Sequence, residues 1–235
     1  MVGQKLTSAL AQIDWEANMK AFAQDSSQVD AIATANVRLA IWSRQFETHD
    51  KGTPALCFIR EMQSTGHHVA ALLSLALYKP AAAGMRAMMD TALYYTYFRY
   101  HTSELATLIR DPDFFVSKAD VLEYHKQHTP DFAAVQTRLG LVSGLNKWYS
   151  FVSSVLHGQI PGKWSGHRSL VDIKYQKATL DAAAKTFAEG EGLVHKLFLC
   201  TAGRELWDAF PSPVKKHLIS GLHGDVKAAL GLDSA

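Results

Sequence analysis

Three polar residues stand four apart near the middle of the chain: Tyr149, Ser153 and His157, within KWYSFVSSVLHG at 147–158. On a helix, positions i, i+4 and i+8 make one stripe. Arg86 and Asp90 have the same four-residue spacing inside the apolar, aromatic stretch AAAGMRAMMDTALYYTYFRYH at 81–101. A charge within such a helix must find a partner, because an unpaired buried charge is costly. The Tyr/Ser/His stripe is the natural partner. Converging, the five residues would make a small polar pocket in which His157 moves a proton and Arg86 holds an anion, with Ser153, Asp90 and Tyr149 around them. The same residues could instead form a hydrogen-bond network that fixes helix register. An open cleft would mark the first case and a sealed core the second.

The pattern resembles a group of bacterial all-helical proteins loosely grouped with the HEPN superfamily, which includes toxin, abortive-infection and phage-defence ribonucleases. The matching residues are Arg86-Ala-Met-Met-Asp90 and Tyr149-Ser-Phe-Val-Ser153-Ser-Val-Leu-His157-Gly158, and the resemblance covers roughly 55–160. It implies a cytoplasmic, metal-independent ribonuclease that needs no cofactor, set in an antiviral-defence or toxin–antitoxin context. HEPN ribonucleases carry Arg, four to six residues, then His, with His as acid/base for the ribose 2′-hydroxyl and Arg on the phosphate. Two such spacings occur here, Arg44 to His49 and Arg60 to His67, and they are alternative catalytic pairs. Lys147, Lys163 and Arg168, around the loop after His157, are candidate contacts to nucleic acid. A non-catalytic helical protein acting through homo-oligomerisation, as a homodimer for instance, or through partner binding is the competing reading.

Other chemistries lack their motifs. The remaining histidines, including His67-His68, His101, His125, His128, His217 and His223, follow no strong metal-ligand spacing. His49-Asp50 has the form of a metal-phosphohydrolase doublet, but no histidine precedes it to complete the set. There is no GxxxxGK[ST], GxGxxG or Gly-x-Ser-x-Gly. A net charge of +2 without a basic block does not by itself indicate nucleic acid. Cys57 and Cys200, both in apolar helical patterns, are expected as buried free thiols. The N-terminal stretch lacks the pattern of a signal peptide. The longest apolar run, Val69–Tyr78, is about half the roughly 20 residues a spanning helix needs.

The elements that must position these residues read as helices throughout. Apolar residues recur at helical spacing over 4–24 and from Ser26 to His49, where His49-Asp50-Lys51-Gly52 gives a stop. Thr53-Pro54 reads as N-cap and first turn of a third helix, weakened at Gly66. Pro80 opens a fourth, whose Ala81, Ala82, Ala83 and Gly84 allow close approach of a neighbour. Its aromatic run from Leu93 to Tyr100 reads as core or subunit interface. Shorter helices follow Tyr100, cover 115–127 with Phe115, Val121 and Leu122 inward, and follow Thr129-Pro130-Asp131. The loop after His157 carries Gly158, Pro161, Gly162 and Gly166 and could wall a site. Residues 172–200 read as one long helix, and 204–231 as a helical end with a last amphipathic helix from Val214. No stretch alternates as a strand. The expected fold is an all-α multi-helix bundle, one domain over 1–235 that can include a small helical C-terminal extension.

Overall fold

The computed structural model describes residues 2–165 and 167–232, and Gly166, counted above among the loop glycines, lies outside them. The described residues form helices and connecting turns, with no strand among them. In chain order the α-helices are α1 (Val2–Ala11), α2 (Trp15–Gln24), α3 (Ser26–His49), α4 (Leu56–Ser74), α5 (Tyr78–Phe98), α6 (Thr102–Arg110), α7 (Lys118–His128), α8 (Phe132–Leu139), α9 (Leu141–Leu156), α10 (Lys177–Cys200), α11 (Ala202–Glu205), α12 (Ser212–Leu218) and α13 (Gly224–Leu230). Single 3₁₀ turns occupy Leu170–Asp172 and Trp207–Ala209. No described helix is long and apolar enough to cross a membrane.

The bundle is organised around α5 and α10. Helix α5 packs along α4 and against α9, and α10 packs on α3, α5 and α9. Small residues set the closest approaches: a Cβ on Gly84 would sit 2.8 Å from Val69, and one on Gly66 2.8 Å from Asn36 and Leu39. The expected close approach at 81–84 is therefore present. Gly66 does not interrupt α4, because α3 lies against it there and packing outweighs its poor propensity. Trp42, Phe46, Tyr95 and Phe198 are fully buried and meet edge-on, tilted or stacked at centroid distances of 4.7–6.1 Å. Such contacts add to the burial of these large rings.

Several sequence-based boundaries move. Residues 4–24 form two helices, because Asp14 accepts from the Ala17 amide at 2.8 Å and starts a new one. Thr53 does not cap α4; its hydroxyl is buried without a partner and the chain makes a tight turn before Leu56. Helix α5 begins at Tyr78, two residues before Pro80, after a turn at Ala76 with φ 60°. Phe115 is 73% exposed rather than inward, since α7 starts only at Lys118, while Val121 and Leu122 are buried. The long helix starts at Lys177 instead of 172, and the final helix is two, α12 and α13. The thiols are both free, but Cys57 is exposed and only Cys200 is buried. The aromatic run is core on the Leu93, Tyr95 and Phe98 side, and Tyr100 faces solvent.

Candidate functional site between α5 and α9

Helices α5 and α9 bring the two stripes face to face. Arg86 donates through Nη1 to Ser153 Oγ at 2.7 Å and through Nη2 to Tyr149 Oη at 2.8 Å. Tyr149 donates onward to Asp90 Oδ1 at 3.0 Å, and Arg86 Nε lies 3.6 Å from Asp90 Oδ2. The guanidinium also lies over the Tyr149 ring, 4.3 Å from its centroid. Arg86 and Asp90 keep 27% and 35% of their side-chain surface in solvent, so the network is at a cleft and not sealed. The neighbouring face of α9, with Trp148, Val152 and Val155, is buried and anchors the helix.

His157 stands at the Ser153 end of the network. It follows the last residue of α9, is exposed, and its Nε2 is 3.5 Å from Arg86 Nη1. Ser153 uses its own proton on the Tyr149 carbonyl, at 2.6 Å. Its hydroxyl therefore clamps Arg86 rather than standing ready as a nucleophile.

The cleft, about 280 Å³, continues past Asp90 and Tyr149 to Ser117, Lys118 and the exposed Phe115. Lys118 was not singled out in the sequence, where it is one lysine at the start of a polar helix. Its ammonium lies 5.0 Å from the Tyr149 ring and bonds to Asn146 Oδ1. Burial pushes the Asp90 carboxyl up, against the pull of the Tyr149 hydroxyl and the Arg86 charge. Burial pushes the Lys118 ammonium down, Asp90 working against this and Arg86 with it. Tyr149 is raised by burial and then by the Asp90 charge. At the other end, Lys79, seven residues before Arg86 and hence on the same face of α5, approaches Gly158.

The other nominated residues lie elsewhere. Lys147 is two residues, about 200°, around α9 from Tyr149, and borders a groove against α10. It cannot share the cleft. Lys163 sits 6.0 Å from the Phe151 ring and Arg168 is exposed on the loop. Arg60 and His67 are exposed on α4, with Arg60 bonded to Glu47 at 2.7 Å. Arg44 and His49 point about 140° apart on α3, and the His49 ring packs on Phe210 at 5.6 Å. Asp50 is held by Arg99, through Nε at 3.1 Å and Nη2 at 3.0 Å, and by the Tyr95 hydroxyl at 2.9 Å. Among the described residues no group of three or more His, Cys, Asp or Glu has the arrangement of a metal site.

Two polar clusters escaped the sequence reading. One is a seam between α3 and α10: Arg38 forks onto Glu191 at 2.7 and 2.6 Å, and Trp42 Nε1 donates to His195 Nδ1 at 3.0 Å. The other is Arg99, which also donates to Glu205 at 2.6 Å beside a cavity of about 570 Å³ reaching His125, His128 and Cys200. Their partners are between 49 and 153 residues apart, beyond any local spacing. Compared with protein-family models, with curated proteins and with solved structures, the chain matches none.

Proposed function

We propose that the α5/α9 cleft is a phosphate-handling site and that the protein is a HEPN-like, metal-independent ribonuclease of a bacterial defence or toxin–antitoxin system. The observation that carries this reading is the exposed His157 imidazole 3.5 Å from the guanidinium of Arg86, which itself lines the cleft. In RNA cleavage the 2′-oxygen forms a bond to phosphorus while the bond to the 5′-oxygen breaks. His157 takes the 2′-hydroxyl proton and the imidazolium returns one to the 5′-oxygen. Arg86 supports the charge on the non-bridging oxygens, pre-aimed by Ser153 and Tyr149. Lys79 and Lys118 flank this point, and take the backbone contacts that Lys147 is placed too far round α9 to make.

The test is RNA degradation in vitro and growth arrest on expression. His157→Ala lowers cleavage by about 10²–10⁴-fold in a folded protein, and His67→Ala leaves it unchanged. Wild-type protein that neither cleaves RNA nor arrests growth removes the enzyme reading; a folded His157→Ala variant at full rate removes the site. A second reading, a regulatory protein acting by oligomerisation or partner binding, is favoured by one observation: both Arg86 Nη nitrogens are already bonded within the chain. It predicts no turnover and an Arg86→Lys variant that loses stability alone.

A further inference from the structure

On the far side of α9 from the cleft lies a separate groove, and its lining has a helical rhythm. From α10 it takes Ala182, Lys185, Thr186, Glu189, Leu193 and Lys196. These positions recur with helical spacing, as one helix face does, over about 21 Å. From α9 it takes Gly144, Lys147, Trp148 and Phe151, again i, i+3, i+4 and i+7. The groove has a volume of about 640 Å³.

Its chemistry is two-layered. The floor is apolar or small, and Gly192 leaves it open: a Cβ there would meet nothing within 4 Å. The rim is basic. Lys147, Lys185 and Lys196 line it, with Glu189 the one acid in the lining, 3.9 Å from Lys185. Lys163 extends the positive rim over Phe151. Nucleic acid also seeks positive charge, but it needs open aromatic faces to stack bases. Trp148 offers none: it is 5% exposed, and its Nε1 donates to the Thr186 carbonyl at 2.8 Å. Phe151 is half-buried, with Trp164 edge-on to it and Lys163 above it.

We propose that this groove docks an amphipathic helix of a partner protein, its apolar stripe on the floor and acidic flanks against the lysine rim. A helix laid between two others with anchors at i, i+3, i+4 and i+7 is a common recognition mode. Charge complementarity sets which helices enter it. This inference is independent of the cleft chemistry, since the groove shares none of Arg86, Asp90, Ser153 or His157.

The test uses the full chain and three fluorescent probes: a designed helical peptide with a leucine stripe and glutamate flanks, the same peptide with lysine flanks, and oligo-uridine. The acidic peptide binds at least about tenfold more tightly than the lysine peptide, and less tightly as salt rises. Gly192→Glu plugs the floor and places a carboxylate among the lysines. It weakens the acidic peptide by about tenfold or more, and RNA cleavage at the α5/α9 cleft is unchanged. Because glutamate is a better helix former than glycine, its melting temperature does not fall. Lys185→Glu gives a smaller loss in the same direction. Equal binding of both peptides, preference for oligo-uridine over the acidic peptide, or undiminished binding by folded Gly192→Glu overturns the proposal.

Discussion

The α3/α10 seam and the α5/α9 cleft are built alike. Each pairs two polar residues four apart on one helix with two or three at the same spacing on its neighbour. Arg38 and Trp42 meet Glu191 and His195; Arg86 and Asp90 meet Tyr149, Ser153 and His157. They differ in cover. The Glu191 side chain is 1% exposed, and the His195 ring is enclosed with its Nε2 facing the Leu218 backbone but without a hydrogen-bond partner. The network at the cleft ends in an exposed histidine beside a loop. One spacing therefore serves two purposes: enclosed it fixes how α3 and α10 dock, and open it leaves groups within reach of a ligand.

The largest effect that separates the two regions is on stability. Arg38→Ala strands the Glu191 carboxylate in the core, where burial already pushes its carboxyl up and only Arg38 opposes this. It costs about 3 kcal/mol in urea denaturation, with no loss of RNA turnover. A loss below about 1 kcal/mol would show that Glu191 simply protonates, and would break the contrast.

Acid comes next. Burial holds His195 down to about 3 and His125 down to about 4, against an ordinary 6.5. The unfolded chain then binds more protons than the folded one, so this stability is present above pH 6.5 and drains away as pH falls towards 4. The slope reaches about 1.4 kcal/mol per pH unit for each ring. Urea midpoints from pH 7 to 4 measure it, and His195→Gln removes about half of the dependence.

Arg86→Ala is a smaller stability change, about 1–2 kcal/mol, because its pairs keep access to water. On the proposed ribonuclease reading it abolishes RNA cleavage all the same, and a large stability loss without a catalytic one would move this cluster into the class of the seam. The smallest effect belongs to Arg60→Ala and Arg44→Ala. Arg60 and Glu47 are both well exposed. Each variant stays within about 0.5 kcal/mol of wild type and keeps its turnover.

The sequence contained the polar network almost whole. Arg86, Asp90, Tyr149, Ser153 and His157 could be paired because each set is local and both helices are strongly periodic. The all-α class was legible for the same reason. What failed were terminal turns and single caps. Thr53 and Phe115 sit where chain reversal competes with local preference by small margins, and tertiary packing decides.

Sequence alone thus determined that two polar stripes exist and that they need partners. Only the folded chain decided that these two meet at an accessible cleft while a further pair, on α3 and α10, is covered. Arg38 and Glu191 are 153 residues apart, and so are Trp42 and His195, so no local pattern links them. It was equally the fold that brought Lys118 into the cleft, whereas helical spacing alone already turns Lys147 away from Tyr149. Spacing along a helix fixes the direction of a side chain about its own axis. Exposure depends on which neighbour packs there, and that is set by contacts distant in sequence.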